Sequence, residues 1–266
     1  MAKEIIVCRP KMLPQDQWVA AAQTAATINP VNHAPLERLM MVMPGYVPQP
    51  LHLAIVVTKW WGGGGVKLTV GFMDNPPADL RARILSHMNA WSKTANVNFV
   101  ETATDPQVRI SRTPGGTVEG GYWSYVGTDI LHIPPDQPTM MLENFTMDTI
   151  DSEFHRVVRH ETGHTLGCPH EHMRKELVDK IDPDKAIAYF WQNDGWDADM
   201  VRAQVLTPIE ESSLWGTAHA DPFSIMCYQI PGTITKDGIP IPGGVDITDL
   251  DYSFIAKVYP QPQPAS

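Results

Sequence analysis

One run of eleven residues constrains this chain more than any other, His160-Glu161-Thr162-Gly163-His164-Thr165-Leu166-Gly167-Cys168-Pro169-His170. Each residue of an α-helix turns the chain by about 100°, so His160 and His164 leave one face, a single turn apart. Two imidazoles placed this way can share a metal ion. Glu161 is too far round to be a third equatorial ligand, but it can reach a water on that ion, where a general base is needed. Gly163 in mid-helix costs about 1 kcal/mol relative to alanine, which reads as a demand for close packing. Gly167 can take the left-handed conformation that stops the helix and swings the chain back, bringing His170 toward the same ion. Three neutral imidazoles leave a fourth position open, as in a catalytic zinc site rather than a closed structural one. A lone His-Glu-x-x-His is a weak signal; Gly167 and His170 carry the specificity.

Around this run the hydrophobic pattern predicts an α+β domain. Val66, Leu68, Val70 and Phe72 alternate as a half-buried strand. Pro76-Pro77 then precede a helix with Leu80, Ile84, Met88 and Trp91 on one face. Val97–Phe99, Val108–Ile110 and Asp129–Ile133 read as further strands. Asp151 or Ser152 is the candidate cap of the motif helix, which carries Phe154, Val157, Val158 and Thr165 on its apolar side. Residues 172–247 read as irregular apart from helices near Pro183–Trp191 and Asp199–Leu206. A last helix opens at Thr248, with Asp251 completing a near capping box, and is expected to bury Leu250, Phe254 and Val258.

The metal motif and its surroundings resemble the metzincin zinc endopeptidases, and within them the astacins. Glu171-His172-Met173-Arg174 is similar to the astacin signature beyond the third histidine. Asp221-Pro222-Phe223-Ser224-Ile225-Met226-Cys227-Tyr228 resembles the Met-turn with a tyrosine two positions on, and Gly121–Gly127 is similar to the segment ahead of the substrate-binding edge. The resemblance spans roughly residues 60–259. It implies a mixed twisted sheet and two long helices above a zinc cleft, with an irregular lower subdomain. It also implies one catalytic Zn2+ on His160, His164 and His170, with Glu161 as base. Met226 would be an apolar floor, and Tyr228 would ligate the resting ion and swing off to the transition-state oxyanion. Glu171 would pair with the mature amino terminus. The substrate would be a polypeptide, added as a strand to an edge at Asp129–Ile133.

His172 is a candidate supporting residue, and His155 reads as structural. The paired disulfides common in astacins are absent, since Tyr122 stands where the pattern has cysteine. Cys168 and Cys227 are expected to be small buried hydrophobes. Residues 1–50, with Pro10, Pro14, Pro30, Pro35, Pro44, Pro48 and Pro50, lack a core of their own and read as an N-terminal extension, a prosegment in the cleft. Cys8 there offers a thiolate of the kind other metzincin prosegments place on zinc, with Asp16 as a rival blocking ligand. The domain is expected over residues 51–259 and a flexible tail over 260–266. A catalytically inactive zinc-containing peptide-binding module is the competing reading. The presence of both Glu161 and Tyr228 argues against it, since a structural ion needs neither.

Composition narrows the partners. Lys+Arg 20 against Asp+Glu 30 gives a net charge of −10, a field that repels nucleic acid and anionic lipid. No apolar run approaches the roughly 20 residues that span a bilayer, and the N-terminal apolar stretch is too short for a secretory signal. The expectation is a monomer, cytoplasmic or exported by a signal-free route. Three cysteines without framework spacing exclude a disulfide scaffold.

Overall fold

The computed structural model describes Cys8 and residues 11–47, 49, 57–208 and 219–262. Its centre is a five-stranded sheet of β1 (Val66–Phe72), β2 (Val97–Glu101), β3 (Val108–Ser111), β4 (Tyr122–Ser124) and β5 (Met140–Leu142), in the order β2-β1-β3-β5-β4. All pairings are parallel except β4 with β5. The alternation read from the sequence holds in β1 and β2, where Val66, Leu68, Val70, Val97 and Phe99 are buried. β3 and β5 are buried on both faces, as parallel interior strands are.

Two N-terminal helices, α1 (Trp18–Ile28) and α2 (Ala34–Val42), precede the sheet, and α3 (Ala78–Met88) follows β1. α3 ends before Trp91, which sits in the 3-10 turn Asn89–Lys93 and remains buried. The motif helix opens with the single turn Asp151–Glu153 and passes through a π-helical stretch, Phe154–Val158. It closes as α4 (Arg159–Thr165). Its N-cap is Ile150, with no side-chain cap from Asp151 or Ser152. Phe154, Val157 and Val158 pack with Leu80, Ile84 and Met88 of α3 in the main core. A smaller core lies below, where Leu177, Ile181, Phe190, Trp196, Val201 and Ile230 gather. Around it lie α5 (Lys175–Val178), α6 (Pro183–Asp194, capped by Asp182) and α7 (Ala198–Val201), which runs into a π-turn Arg202–Leu206; α6, α7 and the π-turn fall where helices are expected, and α5 is the addition.

Two expectations are corrected. Asp129–Ile133 is no strand: Gly127–His132 forms a 3-10 helix, and the edges of the sheet are β2 and β4. The apolar residues there, Ile130 and Ile133, are three apart, so they suit one face of a tight helix as well as a strand; both are buried. In the last helix, α8 (Asp249–Val258), Val258 is buried and Phe254 half-buried against the main core as expected, but Leu250 is 52% exposed, and Tyr252 and Ile255 are buried instead. Among the described residues no helix is long and apolar enough to cross a membrane.

The capping box of α8 explains the exposure of Leu250. Thr248 accepts from the Asp251 N–H, and Asp251 accepts from the Thr248 N–H. Asp251 also accepts from the Ser224 hydroxyl at 2.6 Å and the Ile225 N–H at 2.9 Å, which draws its side chain inward. Removing it strands two buried donors and the half-buried Thr248 N–H. Asp251→Ala is expected to cost about 3 kcal/mol in urea unfolding, and a loss under about 1 kcal/mol would contradict this role.

Candidate metal centre

The sequence turns α4 into a rigid mount. Gly163 lets the helix press on the Met-turn: a Cβ there would collide with Met226 Sδ and stand 3.3 Å from Trp91 Cζ2. Gly167, at φ 98°, ends the helix in a Schellman arrangement, with Cys168 N–H bonded to Gly163 O and Gly167 N–H to His164 O. The remaining carbonyls at this end are met from far along the chain. Trp61 Nε1 donates to Thr165 O at 2.8 Å, and the Tyr259 hydroxyl donates to Leu166 O at 2.7 Å.

Beyond the turn His170 comes back toward the helix, its Nε2 lying 3.2 Å from His160 Nε2 and 3.0 Å from His164 Nε2. All three rings are buried. His160 Nδ1 faces Ile225 O at 2.6 Å and His164 Nδ1 faces Cys168 O at 2.8 Å, so each ring donates its proton outward and turns the Nε2 lone pair inward. Burial, with the neighbouring imidazoles, holds His160 and His170 well below the ordinary histidine range, and burial brings His164 down to about 4. Neutral imidazoles with converging lone pairs repel one another unless a cation lies between them. The donor set fits a zinc ion.

The remaining predicted residues surround this point. Glu161 is buried, and burial raises its carboxyl to about 8. Its Oε2 accepts from the Cys8 thiol at 3.3 Å. Cys8 Sγ and the ligand atoms of the three histidines all lie within 4.8 Å of one another. Asp16, the rival, is exposed in the turn Gln15–Gln17 and outside this group. Met226 is buried beneath α4. Tyr228 lies against His170, ring centroids 4.3 Å apart. Glu171 accepts from Arg174 Nη1 at 3.3 Å and the Asp221 N–H at 3.0 Å, and its own N–H donates to Met226 O. Cys168 and Cys227 are free and buried, and burial raises both thiols. A cavity of about 350 Å³ beside His160 and Glu161 is walled by Arg156, Val157, Ile225, Gln229, Pro242 and Val245.

The N-terminal stretch lies along the β4 edge of the sheet. Cys8 and Lys11 form parallel bridges with Tyr122 and Tyr125. Leu13 and Ala21 bury against Ile133, and Thr24 bonds His132 at 2.9 Å. Asn32, fully buried, donates to Ala25 O and Trp60 O and accepts from the Trp60 N–H and the Thr58 hydroxyl. Single-residue reading missed Asn32 and the second role of Asp251. A polar residue in an alanine- and proline-rich stretch was the only trace of the first, and Asp251 was legible only as a cap.

His87, Asp151 and His155 form a second cluster. Arg159 Nε donates to His87 Nδ1 at 3.3 Å, which leaves the proton on Nε2, facing Asp151. Arg83 pairs with Asp151 at 3.0 Å, while His155 and Arg159 share Asp246 at 2.8 and 2.6 Å. The carboxylates are thus met by guanidinium groups and the ring nitrogens are spent, so this is a hydrogen-bond network joining α3, the motif helix and the approach to α8. Burial, helped by Arg159, brings His87 down to about 4 from 6.5. Between those values the unfolded chain binds a proton that the folded one refuses, so stability falls as pH drops through this window. His87→Gln should lose stability less steeply from pH 6.5 to 4 in urea titrations; equal slopes would remove the assignment.

Residues 57–229 match the model of the Astacin (Peptidase family M12A) family. The solved structure of myroilysin superposes with a TM-score of 0.71 at 31% identity, covering 79% of this chain and 99% of that one. The hatching enzyme zinc-protease HCE-1 of the medaka fish Oryzias latipes, at 18% identity and a TM-score of 0.50 over 76% of this chain and 93% of that one, shares the fold. The zinc metalloproteinase nas-27 of Caenorhabditis elegans is 34% identical over 105 residues, 39% of this chain and 21% of that protein, so the match spans about a fifth of its length. With the motif, the sheet and the Met-turn in place, this chain belongs to the astacin family of zinc metallopeptidases.

Proposed function

We propose that the protein is a zinc endopeptidase acting on extended polypeptides and made as a latent precursor. The observation that carries the reading is the convergence of the Nε2 atoms of three buried histidines, two of them held by an outward Nδ1 bond to a carbonyl, beside a buried carboxyl. Zinc held by His160, His164 and His170 would polarise the scissile carbonyl and lower the pKa of its water toward ~7. Glu161 takes the proton of the attacking water and hands it to the leaving amine, a task its place beside His160 on the cavity wall allows. Tyr228 donates a hydrogen bond to the oxyanion of the tetrahedral state. The polypeptide adds a strand at β4, the sheet edge along which Cys8 and Lys11 now lie.

The latency half of the reading is supported by Cys8. Its thiol faces Glu161, and its backbone bridges the edge that a substrate would use. Cys8 would fill the fourth position on the ion while Asn32 and α1 hold the stretch in place. Cutting between residues 45 and 60, a span partly outside the described residues, would release it and free a terminus for Glu171.

Zinc-loaded Glu161→Gln protein should bind the metal normally and lose at least about 10²-fold in casein cleavage. Retained activity would remove the base, and loss of zinc would remove the ligand reading. Tyr228→Phe should lower kcat by about 10²-fold with little change in KM. Cys8→Ser should raise the activity of the uncut chain, as should nicking between residues 45 and 60. Equal activity before and after both changes would end the latent-precursor reading.

A further inference from the structure

His172 has no part in the chemistry above, although it is fully buried two residues past His170. Its ring lies face to face with Tyr228, centroids 3.9 Å apart and planes within 17°. His170 and His172 are 5.0 Å apart, so the phenol ring packs into the angle between them. The imidazole is itself held from below, with Nε2 2.9 Å from Gln204 O in the π-turn Arg202–Leu206. A carbonyl oxygen can only accept, so that nitrogen carries the proton and donates. Aromatic rings at this separation and tilt attract beyond the area they bury, which favours one orientation of the phenol over its rotamers.

We infer that His172 is a positioning residue that clamps the Tyr228 ring at a fixed place beside the metal centre, with Gln204 as its anchor in the lower half. This rests on the proposed action of Tyr228 in turnover. The clamp sets where the phenol starts and returns, and it ties that position to the small core below the cleft rather than to the sheet above it. His172 would then influence kcat only through Tyr228.

Two variants separate the parts of the clamp. His172→Leu keeps bulk and removes the aromatic face; His172→Phe keeps the face and removes the donor to Gln204. In the full chain, nicked between residues 45 and 60 and loaded with zinc, His172→Leu should lower kcat by about tenfold with KM within about twofold. His172→Phe should stay within about threefold of the parent. In a Tyr228→Phe background the leucine change should cost less than about twofold, because the group it positions is gone. In zinc-free full chain, the Tyr228 ring protons should be shifted upfield in the parent and in His172→Phe, and should return to ordinary positions in His172→Leu.

An equal cost of His172→Leu with and without the Tyr228 hydroxyl would overturn the inference, as would unmoved ring resonances. Loss of zinc or of folding in both variants would make His172 structural and overturn it too. If Tyr228→Phe alone leaves kcat unchanged, the reading of Tyr228 fails, while the ring shifts still decide whether the clamp exists.

Discussion

The arrangement depends on a mutual approach that proteins ordinarily avoid: three unprotonated ring nitrogens turned toward a common point. Nothing among the rings themselves favours it. It is enforced from outside by two carbonyl oxygens, Ile225 O on His160 and Cys168 O on His164, each of which fixes a tautomer and a ring plane. Those carbonyls belong to the Met-turn and to the Gly167 reversal. The turn and the reversal are therefore not decorations of the motif but the parts that orient it.

Each support is fixed in turn by a more distant element. The Met-turn hangs on Asp251, whose carboxylate spans Ser224, Ile225 and Thr248 and so joins the cap of α8 to the backbone touching His160. The main core lies above this seam and the small core below it, with Tyr228 and Cys8 counted among the lower group. A site built between two cores has the open face that a long substrate needs, but its geometry relies on the few polar links that cross the seam.

Much of this was legible in the residues. The spacing of His160, His164 and His170 foretold their convergence because helix pitch and a glycine reversal are local properties. β1, β2 and the capping box were legible for the same reason, each being set by alternation or by neighbours three residues away. What failed was tertiary. Gly127–His132 carries apolar residues at a spacing that fits a strand or a tight helix, and only packing against α1 and the carbonyl of Lys59 decides between them. Leu250 fits an apolar face until Asp251 is pulled inward by a loop 26 residues away. The helices at Pro183–Asp194 and Ala198–Val201 were legible, whereas the one-turn helix Lys175–Val178 and the 3-10 turn Gly232–Ile234 were too short to leave a periodicity. Asn32 was invisible because most of its side-chain partners, at Thr58 and Trp60, lie 26 and 28 residues on, beyond the reach of any local pattern.

The bond between the Trp61 N–H and the Tyr259 hydroxyl, 3.0 Å long, brings together residues 198 positions apart, and both side chains then reach the last turn of α4. The domain is thereby closed like a buckle at its two extremities, directly behind the histidines. A chain shortened past Tyr259 would leave the sheet and the main helices nominally whole, yet open the clasp on the very turn that returns His170 to its companions.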